Sequence, residues 1–107
     1  MAYNIQTISI FEKQAKRLVK KYPSLKNELL TLIQTLKIVP NHGVSLGNNC
    51  FKIRLSIASK GKGKSGGARI ITHITVANET VYLLSIFDKS EKENLTDHEL
   101  RELLDSI

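Results

Sequence analysis

The spacing of hydrophobic and polar positions changes several times along the chain, and each spacing predicts one secondary-structure element. Residues 3–9 (YNIQTIS) alternate, which is typical of a strand. The next two stretches place apolar residues three and four positions apart, and their predicted buried stripes are Phe11, Ala15, Leu18, Val19 and Tyr22, then Leu25, Leu29, Leu32, Ile33 and Leu36. Pro23 separates them, because proline lacks an amide proton and clashes with the preceding turn. We therefore expect a helical hairpin, which begins at a capping box of Ser9 and Glu12.

After a turn-rich loop at residues 41–49, the hydrophobic period becomes two, which predicts strands. Residues 51–57 and 67–76 each alternate an apolar side with a more polar side, as in a sheet with one buried face. Residues 81–88 (VYLLSIFD) are apolar on both sides, so we expect a central or well-covered strand there. The pattern then predicts a short amphipathic helix, with a capping box and an apolar stripe made by Thr96 and Glu99, then Leu100, Leu103, Leu104 and Ile107.

These elements follow the order β-α-α-β-β-β-α, which predicts an α+β fold in a single domain spanning residues 1–107. The last three strands have short or flexible connections and should form an antiparallel meander. The helical hairpin should cover one face of that sheet. The other face is expected to stay open and to carry Lys52, Arg54, Arg69 and His73.

Composition narrows the setting in which such a domain works. Of its 107 residues, 41% are hydrophobic, which is enough for one modest core. No stretch approaches the roughly 18–20 apolar residues of a membrane span, and the first residues lack a signal-peptide pattern. The single cysteine, Cys50, excludes an internal disulfide and a cysteine-based zinc cluster. We therefore expect a cytoplasmic protein without a membrane partner.

The charge is more informative, because it is unevenly distributed. Sixteen Lys and Arg residues against ten Asp and Glu residues give a net charge of +6. Between Cys50 and Arg69 there are six basic residues and no acid, whereas Glu79 to Asp105 contains eight acids and three bases. A local positive field of this kind attracts polyanions, most commonly nucleic acid. A merely solvated surface is the other interpretation, and charge alone does not choose between them.

Longer stretches of the sequence resemble a known family. Residues 43–74 (GVSLGNNCFKIRLSIASKGKGKSGGARIITHI) and 81–104 (VYLLSIFDKSEKENLTDHELRELL) are similar to toxins of the RelE/ParE superfamily, closest to its RelE and HigB branches. The shared features are a Gly-x-x-Leu-Gly turn before a Lys-x-Arg strand, a Ser-Gly-Gly-x-Arg approach to the next strand, and a closing strand that runs into Lys-Ser-Glu-Lys. Their order and spacing carry the resemblance, which covers almost the whole chain once the helical hairpin is included.

The resemblance implies a RelE-like fold and the toxin of a type II toxin–antitoxin module. Toxins of the RelE branch are mRNA interferases, ribosome-dependent endoribonucleases that cut mRNA in the decoding site and inhibit translation. Their partners are the ribosome, mRNA and a cognate antitoxin, and promoter DNA is bound through the antitoxin complex. The ParE branch instead inhibits DNA gyrase without chemistry of its own, and fold alone does not separate the two activities. A degenerate member that only binds an antitoxin or RNA is a third alternative.

RNA can be cut without a metal ion, because the ribose 2′-hydroxyl supplies the nucleophile. The protein must then stabilise the charged phosphorane and move two protons. We expect Arg54 and Arg69 to contact the phosphate, because the planar guanidinium fork matches phosphate oxygens. Lysines in a like-charged cluster repel each other's protons and can act as bases, which makes Lys62 and Lys64 further candidates. The resemblance adds Lys89, which follows the closing strand, as a fifth catalytic candidate.

Four further residues are predicted to bind RNA: Lys52, Lys60, His73 and Phe87. His73 lies on the same side of its strand as Arg69. The two residues are four positions apart, which is roughly 13 Å along a strand that rises about 3.3 Å per residue. Phe87 can stack on a base, but it has no hydroxyl to exchange a proton. The histidines form no ligand-spaced cluster, so we expect neither a metal site nor a cofactor.

Overall fold

The computed structural model describes residues 2–60 and 66–107, which form one α+β unit around a single mixed sheet. The elements within these ranges are β1 (Asn4–Thr7), α1 (Ser9–Lys21), α2 (Leu25–Ile38), β2 (Val44–Gly47), β3 (Cys50–Leu55), β4 (Ala68–Thr75), β5 (Thr80–Asp88) and α3 (Asp97–Leu104). Two 3₁₀ turns, at Ala58–Lys60 and Val76–Asn78, flank β4. No helix in the described ranges has the length and apolar character needed to span a bilayer.

The five strands lie in the order β1-β5-β4-β3-β2. Strands β3, β4 and β5 form the predicted antiparallel meander, and β1 pairs with β5 in parallel. Strand β5 is therefore an interior strand and is buried on both faces, as its apolar sequence predicts. This topology places the ends of β3, β4 and β5, with their charged residues, beside one another.

The additional strand β2 is the main departure from the predicted order. It pairs antiparallel with β3 through a tight turn in which Asn48 and Asn49 have φ values of 53° and 60°. Two successive positive φ angles suit the twist of a hairpin, and asparagine tolerates them better than most residues do. All four residues of β2 are exposed. The stretch lacks a buried side, which is why its sequence resembles a loop.

The main hydrophobic core lies between the helical hairpin and one face of the sheet. Its members come from both helices and from β3, β4 and β5, with Leu18, Leu25, Leu36, Ile53 and Ile70 essentially inaccessible to solvent. The predicted placement of the hairpin is confirmed. Because this face is filled by apolar side chains, the alternate residues of β3 and β4 point to the opposite face.

The opposite face is not open along its length, and that expectation is wrong. Helix α3 packs across its middle, where Leu103 joins Ile71, Leu84 and Phe87 in a second buried apolar cluster. Leu100 and Leu104 pack at the margin of this cluster, whereas Ile107 lies beyond the helix end and is 45% exposed. Within the described residues, α3 therefore separates the two ends of the second face from each other.

Helix starts were predicted with mixed success. The capping box of Thr96 and Glu99 is present in full at the start of α3. The box of Ser9 and Glu12 is absent, because α1 begins one residue earlier than expected and Ile8 occupies the cap position. The Glu12 carboxylate instead accepts a hydrogen bond from the Thr7 hydroxyl.

Candidate functional site

Two arginines face each other across neighbouring strands at one end of the second face. Arg54 on β3 and Arg69 on β4 are direct cross-strand partners, so their side chains leave the sheet on the same side. Burial, and to a lesser extent the Arg54 charge, lower the pKa of Arg69. Like charges placed directly opposite each other destabilise a sheet. The pair is therefore a candidate anion-binding feature.

The surroundings of the two arginines differ. Arg54 is exposed, whereas Arg69 is only 3% exposed and donates a hydrogen bond from Nη1 to the Ala68 carbonyl at 3.1 Å. The expectation that Arg69 lies on an open surface is therefore wrong for this conformation. A ligand could therefore contact Arg54 directly, but it could contact Arg69 only after some of the atoms that cover Arg69 had moved.

Lys60 lies in a different environment from the one expected of an RNA-binding residue. Its ammonium group forms an ion pair with Asp88, and the two side chains are 8% and 0% exposed. Asp88 also accepts hydrogen bonds from the Tyr22 hydroxyl at 2.8 Å and from the amide and hydroxyl of Ser90 at 3.0 and 2.8 Å. Burial alone would raise the pKa of Asp88, but the bonds from Lys60, Ser90 and Tyr22 outweigh it and hold that pKa far below its usual range. Lys60 is thus committed to an internal contact.

Sequence analysis did not identify the role of Asp88. An acid that ends an otherwise apolar strand is unusual, and this was the available signal for a buried ion pair. Asp88 lies opposite Ala68 in the sheet, next to Arg69, and the Lys89 amide donates to the Gly67 carbonyl at 3.1 Å. The network therefore fixes the two chain segments that lead into and out of residues 61–65.

The remaining basic candidates are dispersed. Lys52 donates a hydrogen bond to the Asn94 side chain at 3.0 Å, in the segment that leads into α3. Lys89 is half-buried just beyond β5, and the nearby acid Glu91 pairs with Arg17 rather than with Lys89. Lys62 and Lys64, the lysines predicted to be catalytic, lie outside the described residues.

His73 is separated from the arginine pair. It shares their side of the sheet, but Ile71 lies between His73 and Arg69, and Ile71 is buried beneath α3. The His73 Nδ1 atom lies 3.4 Å from the Cys50 sulfur. Burial lowers the pKa of His73, and a backbone hydrogen bond at Asn48 opposes that shift only in part. The lowered pKa favours the neutral imidazole, and His73 belongs to the far end of this face.

Phe87 is the direct neighbour of Arg69 on β5, but its ring is 6% exposed. It packs against Leu103 of α3 in the second apolar cluster. In this conformation Phe87 contributes to the core and does not present a surface to a nucleobase. It would become accessible only if α3 moved away from the sheet.

The described residues contain no group of three or more histidine, cysteine or acidic side chains that could hold a metal ion. The arginine pair can bind a phosphate through two planar forks, and the adjacent Lys89 can supply another positive charge. A general acid or base is not apparent beside the pair within the described part of the chain.

Comparison with known proteins places this arrangement in context. A family model described as "RelE toxin of RelE / RelB toxin-antitoxin system" matches residues 8–106. A double Arg-to-Ala variant of Escherichia coli RelE in the free state has 15% sequence identity and a TM-score of 0.63, over 99% of this chain and 94% of that one. The isolated E. coli RelE toxin has 17% identity and a TM-score of 0.54, over 99% and 100% of the two chains.

The intact E. coli RelBE toxin–antitoxin complex contains a chain with 19% identity to this one and a TM-score of 0.52, over 81% of this chain and 96% of that chain. At these identities the solved structures demonstrate a shared fold. They therefore confirm the RelE-like fold that the sequence resemblance implies.

Proposed function

Because the chain belongs to the RelE toxin family of RelE/RelB toxin–antitoxin systems, we propose that it cleaves messenger RNA on the ribosome and thereby inhibits translation. The reaction would start when the ribose 2′-oxygen attacks the adjacent phosphorus. The bond from phosphorus to the 5′-oxygen of the next nucleotide would then break. The products would be a 2′,3′-cyclic phosphate and a free 5′-hydroxyl, so no metal or added co-reactant is required.

The observation that carries this proposal is the placement of Arg54 directly opposite Arg69. Direct cross-strand partners leave the sheet on the same side with their Cβ atoms about 5 Å apart, so one phosphate could contact both side chains. Preorganised donors that face developing charge usually make the largest single contribution to such a rate. We assign Arg69 to the phosphorane, because β4 holds it rigidly, and Arg54 to the same phosphate from the exposed side.

Lys62 and Lys64 have a separate proposed role. Lys62 and Lys64 would hold the RNA backbone, because flexible ammonium groups adapt to phosphates whose positions vary. Glycines alternate with these lysines and allow close approach to the backbone, since they carry no side chain. The Lys60–Asp88 pair is an internal contact at the start of this segment and is not assigned to RNA.

Production of the chain alone in a bacterium should arrest growth, and protein synthesis should fall before DNA synthesis does. The reason is that cleavage of translated mRNA stops the ribosome directly. Incorporation of labelled amino acid and labelled thymidine after induction measures the order of the two events. An Arg69→Ala chain at the same intracellular level is the matched control and should permit growth.

The same labelling experiment separates the alternatives. Early loss of DNA synthesis with continued translation would favour a gyrase inhibitor of the ParE kind. Normal growth with a folded, abundant chain would indicate a degenerate member that only binds an antitoxin or RNA. Either result would contradict the proposed nuclease.

We further propose that a cognate antitoxin neutralises the chain by displacing α3 or by covering the arginine end of the sheet. E. coli RelE is known in complex with RelB, and α3 is held here by a small apolar cluster with only Leu103 fully buried from the helix. An amphipathic antitoxin helix could replace α3 on Ile71, Leu84 and Phe87.

Hydrogen exchange with the antitoxin candidate from the adjacent reading frame tests this proposal. Amides of residues 97–104 should exchange faster in the complex, or those around Arg54 and Arg69 should exchange more slowly. Amides in α2 serve as the internal reference. A tight complex that leaves both regions unchanged would show that neutralisation occurs elsewhere.

A further inference from the structure

The exposed side of α1 carries a continuous row of positive charge. Its members lie at i, i+3, i+4, i+7 and i+8 and are Lys13, Lys16, Arg17, Lys20 and Lys21. All five are exposed, and the helix contains no acid after Glu12. Because residues three and four apart lie on one face of a helix, this row is a stripe about 12 Å long at about 1.5 Å per residue. We call these five residues the α1 basic stripe.

Most of the α1 basic stripe is not neutralised by acidic side chains. Among the described residues, its single ion pair joins Arg17 to Glu91 at 3.0 Å, and Lys21 lies over the Tyr22 ring at 5.4 Å. The other two helices differ. Helix α2 exposes Lys26 among mostly neutral residues, and α3 exposes the acids Asp97 and Glu102 together with His98 and Arg101. Among the three helices, positive charge is thus concentrated on α1.

Three contacts position α1 beside the arginine end of the sheet. Strand β1 pairs with β5 only as far as Leu83. Beyond that point, the backbone amide of Ile86 donates a hydrogen bond to the Gln14 side-chain oxygen at 3.0 Å. Farther along α1, Arg17 bonds to Glu91 and Tyr22 bonds to Asp88. These residues of β5 and its end flank Phe87, the neighbour of Arg69. A polyanion at the arginine pair would therefore have the stripe on one flank.

The chemistry of the stripe favours one kind of nucleic acid. It consists of lysine and arginine on a rigid helix, and the aromatic residues of α1 and its end, Phe11 and Tyr22, are buried and half-buried. Sites for single strands usually combine positive charge with exposed aromatic rings on which bases stack. Double-helical RNA is recognised mainly through its shape, phosphates and 2′-hydroxyls. The stripe can contact the phosphates of double-helical RNA, but it lacks the exposed aromatic rings of a single-strand site.

From this charge pattern and its position we infer that the α1 basic stripe docks the protein onto helical ribosomal RNA, separately from the mRNA strand held at Arg54 and Arg69. This inference rests on the proposed ribosomal function and identifies the surface through which the protein would bind the ribosome. Docking through the stripe would orient the arginine end of the sheet toward mRNA. It would raise affinity for the ribosome without altering the chemical step.

The test compares two double variants with equal loss of charge. The stripe variant is Lys16→Gln/Lys20→Gln, and the control is Lys26→Gln/Lys37→Gln on α2. Binding is measured for an RNA duplex, for a single-stranded RNA of equal length with 2′-O-methyl groups, and for purified small ribosomal subunits. Each titration is repeated over a series of salt concentrations.

We expect the stripe variant to bind duplex and subunits about tenfold more weakly than the control variant at low salt, because two phosphate contacts and their counterion release are lost. Its plot of log K against log salt should be shallower by about 1.5 than that of the wild type. Cleavage at saturating ribosomes should keep the same rate, while the ribosome concentration for half-saturation rises.

Equal binding by the two double variants would overturn the inference. Loss of antitoxin binding by the stripe variant with unchanged RNA binding would also overturn it, and would assign the stripe to an acidic protein partner. A wild-type chain that binds duplex and subunits through the stripe but cleaves nothing would contradict the proposed nuclease while leaving the docking surface in place.

Discussion

Replacing Arg69 by alanine should slow single-turnover cleavage of ribosome-bound mRNA about a hundredfold or more, with little change in ribosome binding. Loss of one preorganised donor to a charged transition state has an effect of about this size. Arg69 is assigned that role because β4 places it opposite Arg54 and next to Phe87. The measurement is the cleavage rate at saturating ribosomes, with binding determined separately for each variant.

Two further substitutions at the same position separate charge from shape. Arg69→Lys should restore only part of the rate, because it returns the charge without the planar fork. Arg69→Met should behave like the alanine variant, since it keeps much of the buried stem but has no donor. Arg101→Ala, on the exposed side of α3, is the matched arginine control and should cleave at the wild-type rate.

Because Arg69 is buried, its replacement could also affect folding. Thermal unfolding of each variant therefore accompanies the kinetics, and rates are compared only for folded protein. A folded Arg69→Ala protein that cleaves at the wild-type rate would show that Arg69 has no catalytic role. The side chain would then be a structural residue of β4.

Replacing Lys60 by methionine should lower the free energy of unfolding by about 3–5 kcal/mol, the range typical for removal of one partner from a buried ion pair. The carboxylate of Asp88 would remain inaccessible to solvent with hydrogen bonds from Tyr22 and Ser90 but without a positive charge. Urea unfolding measures the change. The slope m should stay constant if both proteins unfold in one step.

Lys92→Met is the control for this experiment. Lys92 pairs with Glu99 at a more exposed site, where the two side chains are 38% and 36% accessible. Its loss should destabilise the protein much less than loss of the buried pair does, because solvent screens an exposed ion pair. Equal, small losses in the Lys60 and Lys92 variants would contradict the structural importance of the buried pair.

The Asp88 network also predicts a pH dependence with a definite sign. The folded-state pKa of Asp88 lies below its ordinary value, so its contribution to stability is present above the unfolded pKa of about 3.9. That contribution declines as the pH falls below about 4 toward the folded pKa. The difference in stability between wild type and Lys60→Met should therefore shrink in acid.

Much of the fold could be predicted because long apolar patterns are decisive. The stripes of α1 and α2 and the two-sided apolar run of β5 indicated a hairpin packed on a central strand, and the structure has that arrangement. Strand β2 could not be predicted, since all of its residues are exposed and its pairing depends on backbone geometry at Asn48 and Asn49. The parallel pairing of β1 with β5 depends on tertiary packing, and the alternation of apolar and polar residues in β1 does not specify it.

The candidate site could be predicted only in part. Alternation along β3 and β4 was sufficient to place Arg54 and Arg69 on one face, because their register is direct. The burial of this face was not predictable, because it depends on where α3 packs. Helix α3 covers Ile71, which lies between Arg69 and His73, and so separates His73 from the arginine pair. The role of Lys60 was also hidden, because its partner Asp88 lies 28 residues away in sequence.

The most direct test of the proposed nuclease is to map the ends of a defined mRNA after incubation with purified ribosomes and the wild-type chain. The account predicts cuts within the decoding site, with 5′-hydroxyl ends on the downstream fragments and cyclic phosphate ends upstream. The cuts should require ribosomes and should be lost with folded Arg69→Ala protein. Intact mRNA in the presence of a folded wild-type chain bound to ribosomes would contradict the account.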